Sequence, residues 1–247
     1  MAIKEGDFVQ ISYTGRVDGD IFDTTEEEKA KEEGIYDESK SYDPITIRVG
    51  SMHVIPGLDE ALVGKEIGED YEMEIPAEKA YGPHDESLVR SAPVKDFREK
   101  PTLGTRVSSE GREGVVVNIV GKRAVVDFNH PLAGKDLQYS FRIEGVVEGS
   151  EEKAKALIKL FSGRDMDLTL EDGILTILLP PGINYDRRWM PGRGMIVHQI
   201  FEFIDDVNEI VMKETFKRPE KFEEIVEAVE EPEAEAAEEG IPEESEE

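Results

Sequence analysis

The chain has 247 residues, with 29 Lys and Arg against 57 Asp and Glu, four His and no Cys, for a formal charge of −28. Affinity for a phosphate backbone comes mainly from clustered Lys and Arg releasing counterions, so this balance argues against nucleic acid and against an anionic membrane surface as partners. Without cysteine there is no thiol nucleophile, disulfide or cysteine-based zinc site, which fits a reducing cytoplasm.

The start, MAIKEGDFV, has no basic segment followed by an apolar run, and no later stretch approaches the roughly 18 apolar residues of a membrane span. A soluble, cytoplasmic protein is expected. Alternation in Phe8-Val9-Gln10-Ile11-Ser12-Tyr13 predicts a strand, followed by a turn at Asp18-Gly19-Asp20. The charged stretch Thr25 to Lys40 reads as a helical turn or a solvated surface loop. Ile45 to Val49 is a short strand. Leu58, Ala61, Leu62 and Lys65 have helical spacing between the breakers Pro56-Gly57 and Gly64. Tyr71 to Ile75 alternates again and stops at Pro76. This block reads as antiparallel sheet curled round one short helix.

From His84 to Asn129 the texture changes, with Gly104, Gly111, Gly114 and Gly121 punctuating two short strands, Gly114 to Val120 and Arg123 to Phe128. They predict a small hairpin-based module. Leu137 to Val147 reads as a long strand that suits the first block's sheet. Beyond Gly149 a third unit begins. Glu151 to Phe161 carries Ala154, Leu157, Ile158 and Phe161 on one helical stripe, and a hairpin is expected around Glu171-Asp172. A helix from Arg193 to Ile204 and a strand from Glu209 to Phe216 complete the unit. Its apolar residues Phe161, Ile177, Leu179, Trp189, Met190 and Met195 are either its own core or the face of a homodimer. The last 26 residues, Phe222 to Glu247, contain 13 Glu and no Asp, Lys or Arg. Such a segment buries too little apolar surface to offset ordering entropy and is expected to be disordered.

Standard catalytic signatures are absent: no GxSxG, GxxxxGK[ST] or HExxH occurs, and the four histidines have no metal-ligand spacing. Neither cofactor nor metal is expected. The positive signal is a set of segments in fixed order: Tyr13-Thr14-Gly15, Gly19 with Phe22-Asp23, Val54-Ile55-Pro56-Gly57-Leu58, Ala80-Tyr81-Gly82, and the strand bearing Tyr139. Singly each is weak, and Tyr13 or Phe22 alone would read as core. Together they resemble the FKBP-type peptidyl-prolyl isomerases. The return segment Asn129-His130-Pro131-Leu132-Ala133-Gly134 is similar to that of the SlyD-like branch, in which a domain is inserted in the flap. The third unit resembles the C-terminal domain of long archaeal members. The tail departs from SlyD, whose tail is rich in His and Cys and binds nickel, so that property is not carried over.

The resemblance implies an α+β fold with an FKBP domain over residues 1–83 plus 130–149, an inserted β-rich domain over 84–129, a C-terminal α+β domain over 150–218 and an acidic tail over 219–247. It implies that Tyr13, Phe22, Asp23, Ile55, Tyr81 and Tyr139 form the catalytic set, with Val54, Leu58 and Leu132 lining the proline slot. Tyr81 would donate its hydroxyl, and Ile55 its N–H, to the substrate; Asp23 would orient the polar rim. Leu58 stands where macrolide-binding members carry tryptophan, which implies weak macrolide affinity. Val115, Val117, Ile119 and Val125 of the insert would either capture unfolded chain by strand addition or simply form the module's core. The partners implied are unfolded, proline-containing polypeptides. Two functions stay open, an isomerase with chaperone activity or a holdase with little turnover.

Overall fold

The computed structural model describes residues 2–217 apart from 39, 98 and 110. The expected acidic tail therefore lies outside the described residues. Three sheets organise the described residues. The first is built on β1 (Phe8–Val17), whose two halves recruit different partners on the same edge. Phe8 to Ile11 pair with β3 (Ile45–Arg48), and Thr14 to Val17 pair with β2 (Asp20–Thr24). The β1–β2 connection is a two-residue turn in which Asp18 and Gly19 both take positive φ, 54° and 97°. That is the type I′ geometry a right-twisted hairpin favours, and it explains the Asp-Gly pair. The acidic stretch after β2 loops out as α1 (Glu27–Glu32), which buries only Ala30.

The other edge of β1 pairs along most of its length with β9 (Leu137–Val146), and β9 in turn pairs with β4 (Asp70–Ile75). The late strand thus joins the first sheet, as its alternation implied. One helix, α2 (Pro56–Leu62), packs on this sheet. It is shorter than the spacing of Leu58 to Lys65 suggested, because Val63 is already extended and Gly64 takes φ +79°. Gly57 permits the close approach: a Cβ there would lie 2.4 Å from Ile75 Cγ2.

The second sheet has order β5–β8–β7–β6, with β5 (Val89–Pro93), β6 (Arg106–Ser109), β7 (Arg112–Val120) and β8 (Arg123–Asp127) all antiparallel. The outer strands β5 and β6 escaped the sequence reading because Val-Arg-Ser-Ala-Pro and Arg-Val-Ser-Ser carry too little apolar alternation to declare themselves. The core is small: Val116, Ala124 and Val126, flanked by Val94, Phe97, Val107, Ile119 and Phe128.

In the third unit α3 (Ser150–Ser162) leads into the hairpin of β10 (Leu168–Glu171) and β11 (Ile174–Leu179), turned by Asp172 and Gly173 at φ 51° and 80°. Then α4 (Trp189–Phe203) crosses over to β12 (Glu209–Glu214), which lies parallel to β11. A parallel pair requires such a crossover, here supplied by the helix. The helix begins four residues before the expected Arg193. Pro191 falls in its first turn, where a missing N–H costs nothing. Ile177 and Trp189 are fully buried and belong to this unit's own core, whereas Met190 and Met195 are about half exposed.

The third unit does not stand apart. Phe8 of β1 is buried in its apolar cluster and meets Phe203 edge-on, with ring centroids 6.5 Å apart. The Arg48 guanidinium lies 4.2 Å from the Phe203 ring centroid, and Lys159 of α3 pairs with Asp43 at 3.5 Å. No helix among the described residues is long and apolar enough to cross a membrane.

Candidate active site

The ordered motifs converge on one end of the first sheet. Tyr13 on β1, Phe22 on β2 and Tyr139 on β9 place three aromatic rings together: Tyr139 lies 5.8 Å from Tyr13 and 6.0 Å, edge-on, from Phe22. Two backbone features make this possible. The β1–β2 register passes from Gly15 opposite Asp23 to Arg16 opposite Ile21, so Phe22 is the extra residue of a β-bulge. A bulge re-aims a side chain, and here it turns the Phe22 ring onto Tyr139. Gly15 provides the room. A Cβ at that position would stand 2.7 Å from Phe22 Cζ and 3.0 Å from Tyr139 Cζ.

The threonines fix Tyr13. Its N–H donates to Thr25 Oγ1 at 2.9 Å, its carbonyl accepts from the Thr25 N–H at 3.0 Å, and the buried hydroxyls of Thr14 and Thr24 bond each other at 2.9 Å. The Tyr13 hydroxyl donates to Asp23 Oδ2 at 2.8 Å, and the other Asp23 oxygen faces Lys40 Nζ at 3.6 Å.

Val54 and Ile55 enter from the loop before α2, and the Ile55 carbonyl accepts the first N–H groups of that helix, from Leu58 and Asp59. Tyr13, Phe22, Val54, Ile55 and Leu132 are half-buried against the same apolar cluster that holds Leu58 and Tyr139. Leu58 is only 1 % exposed and closes that cluster from below. Tyr81 is 37 % exposed and stacks on His130, with ring centroids 4.0 Å apart and planes within 6°. All nine site residues expected of this domain therefore lie around one region.

Three residues not singled out for this region by the sequence support it. His130 forms the stack with Tyr81, and its Nδ1 accepts the Leu132 N–H at 3.2 Å. Asp59, 3 % exposed, accepts from the N–H groups of Gly50 and Met52 at 2.8 and 2.9 Å, which ties the loop ahead of Val54 to α2. His53 precedes Val54 and bonds across to α4. Only the tertiary fold brings His53 to Gln199 and His130 to Tyr81, so local patterning held no signal for those two contacts.

The electrostatics of the site keep its phenols neutral. Burial, then the Asp23 carboxylate, push the Tyr13 hydroxyl well above its ordinary value of 10.0. Burial does the same for Tyr139, and burial followed by Asp23 for Tyr81. A raised pKa keeps each proton in place at pH values where a free tyrosine has lost it. Turnover, measured as kcat/KM, should therefore stay level as pH rises through about 10; a fall centred there would reveal a phenol ionising normally.

The four insert residues do not share one surface. Asn118, not Val117, faces Val125, because a bulge lies between Val116 and Asn118. This places Ile119 on the core side with Ala124, while Val115 and Val125 sit half-buried on the opposite face and Val117 is 49 % exposed. Ile119 is thus core, as the bulge shifts the alternation by one. The apolar side chains most open to solvent here are Leu103, Val117 and Val120. On the core side a cleft of about 950 Å³ runs past Leu88, Phe97, Val107, Val126 and Phe128. The two passages of chain into the insert are cross-tied by Asn129, whose amide accepts the Asp85 N–H at 2.9 Å and donates to the Asp85 carbonyl at 2.9 Å. His84 Nε2 meets Asp127 Oδ2 at 2.9 Å beside them.

Comparison with known proteins matches residues 1–96 to the FKBP-type peptidyl-prolyl cis-trans isomerase family, residues 91–132 to the FKBP26 IF domain and residues 150–217 to the FKBP26 C-terminal domain. A short-type peptidyl-prolyl cis-trans isomerase of Methanocaldococcus jannaschii is 37% identical over 153 residues, covering 61% of this chain and 98% of the relative. SlyD of Helicobacter pylori is 30% identical over 139 residues, covering 53% of this chain and 75% of its own. SlyD of Escherichia coli K12 is 33% identical over 129 residues, covering 49% and 66%. With its motif residues gathered at one end of the sheet and a relative matched over almost its whole length, the chain belongs to the FKBP-type peptidyl-prolyl cis-trans isomerases, in a SlyD-like form with an insert domain.

Proposed function

We propose that this isomerase binds a prolyl peptide among Tyr13, Phe22, Val54, Ile55, Leu58, Leu132 and Tyr139, and uses its insert to hold unfolded chain while cytoplasmic client proteins fold. The observation that carries the reading is the convergence of the Tyr13, Phe22 and Tyr139 rings and Ile55 on one apolar patch, with the exposed Tyr81 near enough to feel the Asp23 charge. A prolyl bond isomerises over a barrier of about 18–20 kcal/mol, because amide resonance is lost when the C–N bond twists. No bond is made or broken. An apolar slot solvates the planar, dipolar amide poorly and so favours the twisted state. Donors placed at the carbonyl as its character changes add to this. An acceleration of about 10³ to 10⁵ needs only about 4–7 kcal/mol of differential stabilisation.

Within this reading each polar group has a task. Tyr81 donates to a substrate carbonyl, held flat by His130. The Ile55 N–H is the second donor, on the residue whose carbonyl receives the first N–H groups of α2. Asp23 holds the Tyr13 hydroxyl, which keeps the Tyr13 ring facing the slot. Capture falls to the insert because Leu103, Val117 and Val120 are exposed there and a separate cleft on the core side is edged by β6. A strand with unpaired N–H and C=O groups along one side is able to accept an extended peptide.

A titration with a short proline-containing peptide, followed by amide resonances, tests the placement. The Ile55, Tyr81 and Leu132 amides should shift first and saturate together. Shifts confined to residues 86–127 would move the binding of proline to the insert and overturn this reading.

A further inference from the structure

His53 stands at the junction of the isomerase sheet, the loop that supplies Val54 and Ile55, and the third unit. Its Nδ1 accepts the Arg48 N–H of β3 at 3.1 Å, so in the neutral ring the proton resides on Nε2. That Nε2–H donates to Gln199 Oε1 of α4 at 2.7 Å. The ring also stands edge-on to Phe161 of α3, at 5.7 Å and 89°, and to Phe203 of α4 at 6.4 Å. Four contacts from three elements therefore fix one side chain, and two of those elements belong to the C-terminal unit.

The adjoining backbone is held from the other side. Both Asp59 oxygens bind the N–H groups of Gly50 and Met52, and the Ile55 carbonyl caps α2. Met52 sits at φ +57°, a conformation an unbranched residue keeps only where its surroundings impose it. The segment from Gly50 to Ile55 is thus anchored at its beginning, at His53 and at its end. Of these, the His53 anchor alone reaches the third unit.

We infer that the C-terminal unit is a positioning element for prolyl isomerisation, acting through the Gln199–His53 hydrogen bond and the Phe161 and Phe203 rings to set where Val54 and the Ile55 N–H stand. The inference rests on the reading of residues 54 and 55 as a wall of the proline slot. Misplacing a donor by about 1 Å costs up to about 100-fold in rate, so a loop anchored at three points is a device for holding rate. The units are then coupled in catalysis as well as in chain. His53 itself does not touch substrate. It is a positioning residue, and its effect should fall on kcat more than on KM, because an orienting contact matters most in the twisted state.

The experiment uses the full chain and a cleavage-coupled prolyl-peptide assay, with kcat and KM separated. Gln199→Leu removes the acceptor from the His53 ring and should lower kcat about 10-fold with KM within about twofold. Gln199→Glu restores an oxygen acceptor and should recover most of that loss. His198→Ala, on the exposed side of the same helix and 3.3 Å from Glu202, is the control and should match the parent. The single tryptophan, Trp189, is fully buried in the third unit, so an unchanged emission maximum establishes that this unit remains folded in each variant. If Gln199→Leu turns over at the parent rate, or if Leu and Glu at this position lose equally, the coupling is overturned. Phe22→Ala in the same assay separates the two levels. Its loss together with a silent Gln199→Leu refutes the coupling and leaves the slot standing, whereas a silent Phe22→Ala refutes the slot and the coupling with it.

Discussion

Replacing residues 86–127 by a short Gly-Ser linker should leave turnover of a prolyl tetrapeptide within about threefold of the parent while lowering catalysis of proline-limited protein refolding about 100-fold. The topology is the reason. Among the described residues the four strands of the insert pair with one another and with no strand of the isomerase sheet, so the aromatic cluster does not depend on their ladder. The neck closes without them, since the Gly134 N–H donates to the Gly82 carbonyl at 2.8 Å. Tyr81, His130 and Leu132 all lie outside residues 86–127 and stay in the chain when the insert strands are removed. What the deletion removes is the surface carrying Leu103, Val117 and Val120 and the cleft past Phe97 and Phe128. A tetrapeptide is too short to use both places. An unfolded protein held on the insert presents its prolines to the slot at an effective concentration set by the tether, which multiplies apparent activity by about 10² or more. Parallel measurement of both assays on the same preparation checks this. Equal losses in the two would remove capture from the account.

The second large effect is expected at Asp23. Asp23→Ala leaves the Tyr13 hydroxyl without its 2.8 Å acceptor in a half-buried site, and a buried donor stripped of its partner costs about 1–3 kcal/mol. The ring has two ways to recover: to swing toward solvent, which opens the slot, or to stay and tolerate the loss. Thr14, Thr24 and Thr25 pin the Tyr13 backbone, so the adjustment falls on the side chain, the part that lines the slot. A loss of about 2 kcal/mol in transition-state stabilisation corresponds to a fall of about 30-fold in kcat/KM. Tyr13→Phe keeps the ring and removes only the hydroxyl, and should cost less. In the double variant the Asp23→Ala loss should shrink, because the two residues act as one unit and neighbours in one bond are not additive. Additive losses in that cycle would mean that Asp23 acts on the substrate directly.

Much of this arrangement was legible in the chain before its fold. Alternation located β1, β4 and β9, the Asp-Gly pair marked the β1–β2 turn, and the motif order pointed to one site assembled from distant segments. The structure adds physical reasons for individual letters. Gly15 is glycine because two rings occupy the space of its Cβ, and Gly57 because α2 lies against Ile75. Phe22 reaches Tyr139 through a bulge, which a strict two-residue period cannot express. The same limit bears on the insert, where the choice between capture surface and core stayed open and a bulge at Val117 puts Ile119 on the core side. Edge strands β5 and β6 carried no clear period, since one polar-rich strand at a sheet margin looks like loop. His53 and Asp59 were silent for a different reason. Their partners are Gln199 and the Gly50 and Met52 amides, and partners 7 to 146 residues away leave no mark on local sequence.

Charge also takes on a location. Of the −28, the terminal Glu-rich segment contributes a large share, while at the proposed slot the Asp23 carboxylate accepts from the Tyr13 hydroxyl and its charge is met by Lys40. The slot is therefore close to neutral on an acidic protein. In the proposed mechanism desolvation and positioning, not proton transfer, govern the reaction, in keeping with tyrosines that burial holds protonated.

The most direct test of the account is proline-limited refolding of a model protein with this chain at substoichiometric amounts, run beside Tyr81→Phe. The slow phase should accelerate in proportion to enzyme at ratios well below one, and Tyr81→Phe should lower this acceleration about 10-fold by removing a donor. A slow phase that responds only to stoichiometric protein, and equally to the parent and Tyr81→Phe, would contradict it and leave a holdase in place of the enzyme.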